Sequence, residues 1–199
     1  TMMIGTGAMD KIKQVIAGIT SDRRLHVVII AMMLGIFLEG AAGAGTPAAI
    51  AAPFLVGLGF HPIEAATASL ICNSVPVSWG GAGVTTIMGS AGVRDYMSIA
   101  QASAMVGRIH MIGAIILPFL LVIAIFGKKA LKGIAPILFY GGVITSITLF
   151  IFSNFIGPEV TSMSTGFIGI LAMVFLLKRV QYEVPEEFFY AVSDELNVE

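Results

Sequence analysis

Charge is scarce in this sequence and cysteine almost missing: 12% of its 199 residues are Asp, Glu, Lys or Arg, and Cys72 is the single thiol. A soluble domain carries about 25% charged residues. The apolar share of 57% and the mean hydropathy of +0.95 therefore make the bilayer the expected solvent. One cysteine excludes a disulfide framework and a cysteine metal site, and leaves Cys72 as a small packing residue. The net charge is -1, and the 11 basic residues sit in small clusters at the ends of apolar runs, which excludes a nucleic-acid footprint. No nucleotide loop, metal-ligand cluster or nucleophile triad appears, so neither a cofactor nor a catalytic residue is expected, and the chain does not read as an enzyme.

What is present is a series of long apolar runs, at 25–60, 65–89, 99–126, 133–155 and 160–177, separated by short polar punctuation. That pattern predicts an all-α integral membrane protein, multi-pass and built by serial insertion. Arg23-Arg24, Lys128-Lys129-Lys132 and Lys178-Arg179 fall on one side of the expected topology, while the turn at 153–159 has no basic residue, which places those clusters in the cytoplasm. Three parts follow. Residues 1–24 form an amphipathic surface helix, at 8–19, and a cytoplasmic lead-in; a soluble cap packed on other parts of the protein is the alternative there. Residues 25–179 are the membrane unit, and 180–199, with six acidic and no basic residues, are an acidic loop or tail, which Phe188, Phe189 and Tyr190 would dock if it docks at all. The opening Thr1-Met2-Met3 and the small number of membrane elements lead us to expect a fragment.

Two of the runs are interrupted. Gly40, Gly43, Gly45 and Pro47 divide 27–58 into arms at 27–39 and 47–58, about 20 Å and 18 Å of helix, each too short for a ~30 Å hydrocarbon core. A re-entrant helical hairpin with its glycine tip near the midplane satisfies both lengths. In 64–89, Asn73-Ser74-Val75-Pro76 cannot continue a helix, because Pro76 lacks a donor and pushes Val75 out of helical geometry; one discontinuous helix is expected. About three full transmembrane helices follow, at 99–126, 133–155 and 160–177.

The breaks are where the chemistry is expected. No bulky side chain stands between Glu39 and Pro47, so a ligand can approach the backbone at Gly43 and Gly45; Thr46 suits an N-cap and Pro47 a first helical residue, which gives the second arm a positive end able to hold a carboxylate. Asn73 and Ser74 offer side-chain donors and acceptors at the second break, and Pro76 is expected to start a second half-helix whose N-terminus faces the same anion. Close helix packing by small residues is the competing explanation of these glycines. Glu39 is the one carboxylate deep in an apolar run, a costly place unless it is paired, protonated or functional, which suits a proton-coupling group. Arg108 and His110 interrupt the run at 99–126, and Arg108 is a candidate counter-charge for a substrate carboxylate or for Glu39.

Several stretches resemble one family in order: Phe37-Leu38-Glu39-Gly40-Ala41-Ala42-Gly43-Ala44-Gly45-Thr46-Pro47, Asn73-Ser74-Val75-Pro76-Val77, Val106-Gly107-Arg108, Phe155-Ile156-Gly157-Pro158-Glu159 and Leu177-Lys178-Arg179. They are similar to the L-lactate permease family, over most of this chain but only the middle part of a usual permease. The chain departs from the family at Ala44, Trp79 and Val84-Thr85, where Phe, Phe and Thr-Pro are common. The resemblance implies a secondary active transporter taking up lactate, glycolate and similar 2-hydroxymonocarboxylates with protons across the plasma membrane, and one half of an inverted-repeat carrier. Its expected partners are that small anion, protons and the bilayer, with self-association as a homo-oligomer left open. A sodium-coupled or other organic-anion carrier, and a channel-like or non-transporting membrane fragment, stay open beside it.

Overall fold

A computed structural model describes residues 18–43 and 45–190. Nearly all of the surface helix expected at 8–19 lies outside the described residues, as do Ala44 and the end of the acidic tail, 191–199. The described chain is helical without a strand: α1 (Arg23–Ala42), α2 (Thr46–Gly57), α3 (Pro62–Cys72), α4 (Gly80–Gly89), α5 (Ile99–Phe126), α6 (Ala135–Ile156) and α7 (Pro158–Leu177). α1, α5, α6 and α7 are long and apolar enough to cross a membrane, so the all-α membrane class is borne out. Their outward faces are as apolar as their inward ones. On α5 the exposed stripe is Met105, Ile109, Ile112, Ile116 and Leu120, one helical face that water would not tolerate and lipid tails or neighbouring helices would.

The first helix is longer than the glycines suggest. α1 runs unbroken through Gly40 for 20 residues, about 30 Å, with a π-helical stretch at Val28–Leu34. Gly40 is a packing position: a Cβ there would stand 2.6 Å from the Met163 backbone nitrogen and 2.8 Å from Ser162 Cβ, so its bare backbone lets α1 and α7 touch. The break comes at Gly43, in a backbone conformation (φ +88°) that side chains disfavour. The hairpin expected at 27–58 is therefore asymmetric. Its first arm is spanning length and its turn lies level with Pro158, at the start of α7, rather than halfway. Only the second arm is short, and Pro47 at its start packs beside Gly35, twelve residues or about 18 Å above Arg23. α2 then returns to the side it left: the Arg23 guanidinium donates to the Gly59 carbonyl at 3.0 Å and lies 4.6 Å from the centre of the Phe60 ring.

At that same end a buried ion pair anchors the bundle. Asp22 caps α1 through the Arg24 amide at 2.9 Å, and its carboxylate receives the Arg24 guanidinium at 2.7 Å; both residues are essentially unexposed. Arg24 also donates to Ala130 O at 2.8 Å in the α5–α6 turn and lies over Phe188. The segment after α7 thus docks on the start of α1: Tyr190 donates its amide to Ser21 O at 2.7 Å, Asp22 and Phe189 pair as a single antiparallel bridge, and the Thr20 and Tyr182 hydroxyls bond at 2.9 Å. Burial pushes the Tyr182 phenol up to about 12, so it stays protonated there.

Gly40→Ala is expected to destabilise the protein by about 1–3 kcal/mol, since backbone on α7 cannot give way cheaply. Gly113→Ala, at a site with open space, should be neutral or slightly stabilising. Thermal unfolding in detergent compares them, and equal midpoints would show that α1 and α7 do not need this close approach.

Candidate functional site

Two interruptions meet in space. A Cβ on Gly43 would stand 3.6 Å from the Gly81 Cα, so the two chain turns touch backbone to backbone. Beside that contact lies Glu39, one turn before Gly43 on α1. Its carboxylate is so close to Gly80 that a Cβ there would be 2.5 Å from Glu39 Oε1. Glu39 is wholly buried, and neither oxygen has a hydrogen-bond partner among the described residues. Such a group is expensive to hold without a function.

The second interruption differs from the half-helix expected to begin at Pro76. Residues Val77–Trp79 form a single 3-10 turn, Gly80 is extended, and Gly81, Ala82 and Gly83 follow in left-handed conformations before right-handed helix resumes in α4. Only glycine enters that region freely, and Ala82 is the one non-glycine residue with positive φ among the described residues. Gly83 packs on Pro158, where a Cβ would stand 2.6 Å from the carbonyl carbon. The half-helix expected at Pro76 therefore starts later in the chain. In its place stands a left-handed turn seated on the start of α7.

Four successive carbonyls along this break accept from side chains, two of them, Pro76 O and Val77 O, in addition to a backbone bond of the 3-10 turn. Val75 O bonds His110 Nδ1 at 3.0 Å, Pro76 O accepts from the Ser162 hydroxyl at 3.1 Å, Val77 O from Thr85 at 3.0 Å and Ser78 O from Thr86. The caps come from α5, α7 and α4. His110 also contacts the Ser78 hydroxyl through Nε2 at 3.3 Å and the Trp79 ring edge-to-face at 5.4 Å, while Trp79 donates to Ser103 at 3.0 Å, two turns earlier on α5. A cavity of about 470 Å³ opens on this side, between Val77, Ser78, α4 and the Ala102–Val106 face of α5.

The residues singled out in the sequence are only partly gathered. Gly43 and Glu39 stand at the meeting point. Gly45, with φ +87°, is the residue that caps α2, one position earlier than Thr46, because the turn demands a positive φ. Thr46 is the first helical residue; its amide bonds Gly43 O at 3.2 Å, and its hydroxyl has no partner among the described residues. α2 and α3, of 12 and 11 residues, pack against each other across a short turn, with Thr46 opening the first and Asn73 capping the end of the second. Asn73 Oδ1 is buried without a partner among the described residues, whereas Ser74 is exposed and commits its proton to Ile71 O at 2.8 Å. Arg108 is not brought to Glu39: it is exposed on α5 and donates to Asn154 Oδ1 at 3.1 Å on α6. Sequence reasoning gave Ser162, Thr85 and Thr86 no role, although Thr85 stood out as part of a departure from the family pattern. Hydroxyls facing a proline break are a usable signal for the two threonines, but Ser162 is distant in sequence and only tertiary structure reveals it.

Against known proteins, the L-lactate permease family model matches residues 1–196. The L-lactate permease of Bacillus subtilis (strain 168) is 38% identical over 177 residues, 88% of this chain and 31% of the relative. The glycolate permease of Escherichia coli (strain K12) is 36% identical, over 89% of this chain and 31% of the relative, and the L-lactate permease of the same organism is 38% identical, over 89% and 32%. The chain thus spans about a third of the length of the curated relatives it matches. No solved structure matches.

Proposed function

Because the chain belongs to the L-lactate permease family, we propose that it carries a substrate-handling part of a secondary active transporter, which takes up lactate- and glycolate-type 2-hydroxymonocarboxylates with protons across the plasma membrane. The observation that carries this reading is the contact between the Gly43 and Gly81 turns over a buried Glu39 that has no hydrogen-bond partner among the described residues. In this scheme the Thr46 hydroxyl and the positive end of α2 hold the substrate carboxylate, with the bare backbone of Gly43 and Gly45 allowing close approach. Asn73 Oδ1 accepts from the 2-hydroxyl; Ser74 contributes lone pairs alone. Arg108, fixed from the side by Asn154, is an outer counter-charge rather than a partner of Glu39.

Electrostatics supplies the coupling. A charged Glu39 and a bound anion repel strongly where water is excluded, so the anion is held when Glu39 carries a proton and leaves when it gives the proton up. Sodium has less to bind: the carbonyls at 75–78, the ligands that a broken helix offers to Na⁺, are already engaged by side chains.

Vesicles carrying the intact gene test the scheme. Labelled lactate should enter by saturable counterflow, and replacing Na⁺ with choline should leave uptake unchanged. Uptake that does not saturate would favour a channel, and uptake that collapses in choline would move the coupling to sodium.

A further inference from the structure

Among the described residues His110 is the one whose side chain bonds both Val75 and Ser78 across the second break, and the scheme above gives it no task. The Val75 carbonyl can only accept, so the proton of the imidazole must sit on Nδ1; a neutral ring then presents Nε2 as the acceptor for the Ser78 hydroxyl. Two residues on, Gly80 lies against the Glu39 carboxylate. The ring is also wedged edge-on against Trp79, which is itself tied to Ser103 on the same face of α5. Four contacts from one spanning helix thus fix the chain from Val75 to Trp79, on the doorstep of the buried acid.

We propose that His110 is a positioning residue: held as the Nδ1–H tautomer, it clamps the Val75–Trp79 turn to α5 and so keeps Gly80 closed over Glu39. It touches neither proton nor substrate. Without the clamp the turn is still held by Ser162, Thr85 and Thr86 from α7 and α4, but to α5 by the Trp79–Ser103 bond alone, so its Val75–Ser78 end comes loose from α5. The consequence appears at Glu39, on a different helix, as access to the carboxyl group.

The label "positioning" rests on the proposed transport site, but the experiment does not need transport. In membranes containing the intact permease, the rate at which dicyclohexylcarbodiimide modifies Glu39 is followed by peptide mass spectrometry, with Glu39→Gln as the blank. His110→Leu, which removes both hydrogen bonds, should raise the rate about tenfold, the order expected when a buried carbonyl loses its partner and a local opening becomes easier. The two amide variants separate a clamp from mere filling. In His110→Asn the amide nitrogen falls where Nδ1 stands and the Val75 bond is kept, so the rate should stay at the native value. In His110→Gln it falls where Nε2 stands, and the rate should rise as in the leucine variant. Should the leucine variant fail to reach the membrane, the asparagine–glutamine pair decides alone. Equal rates in asparagine, glutamine and native proteins overturn the proposal. A native permease that modifies normally yet moves no lactate would sink the transport scheme and leave the clamp standing.

Discussion

With Glu39→Gln, the intact permease is expected to go on exchanging labelled for unlabelled lactate while losing the ability to concentrate it under an inward proton gradient. Glutamine keeps the shape of the protonated acid, and no described residue would lose a hydrogen bond by the change. The contact with Gly80 is therefore preserved, and anion exchange should be too. What disappears is the group that, in the proposed scheme, sheds a proton before an empty site turns around. A one-proton symporter working at a gradient of one pH unit accumulates its anion roughly tenfold, since about 1.4 kcal/mol corresponds to a factor of ten. The variant should reach a ratio of about one under the same gradient, a loss of that whole factor. Uphill accumulation retained in Glu39→Gln would remove Glu39 from the coupling, and loss of exchange with normal amounts of protein would make it a structural brace.

Asp22→Ala should be the most damaging change outside the site. It leaves the Arg24 guanidinium buried without its carboxylate, a loss on the order of 3–5 kcal/mol, and removes the α1 cap, worth about 1 kcal/mol more. Little assembled protein should remain, measured as the detergent-stable fraction after mild heating. Asp22→Ala combined with Arg24→Met should recover much of that loss, because the cost lies in the stranded charge more than in the missing attraction. A single variant as stable as the native protein would mean that solvent reaches this pair, and an unrescued double variant would shift the importance to the Arg24 bond with Ala130.

Glycine is where the sequence was both most and least informative. Gly43 and Gly45 interrupt the chain as their neighbours implied, and the spans at Ile99–Phe126 and beyond follow from hydropathy alone. Gly40 looks the same in sequence yet lies inside a continuous helix, because its absent side chain serves contact with Ser162 and Met163 rather than a turn. Composition does not separate these two uses; only the partner across the gap does. The proline at 76 likewise ended α3's run but did not start the next helix, since Gly81 and Gly83, with Ala82 between them, take a left-handed path that no propensity favours. For the site, the burial of Glu39 was legible from its isolation among apolar residues. Its neighbour Gly80, the engagement of Arg108 by Asn154 and the docking of Phe188 and Tyr190 beside Arg24 depend on pairings distant in sequence, which periodicity does not encode.

The bond from the Tyr190 amide to Ser21 O stitches the strand entering the bundle to the strand leaving it. Between the helices themselves, Gly40 and Gly166 leave α1 and α7 no slack, so neither slides along the other without backbone clashes. Any rocking that exposes Glu39 alternately to either face must then carry both helices together, with the seam between the Gly43 and Gly81 turns as the place that yields.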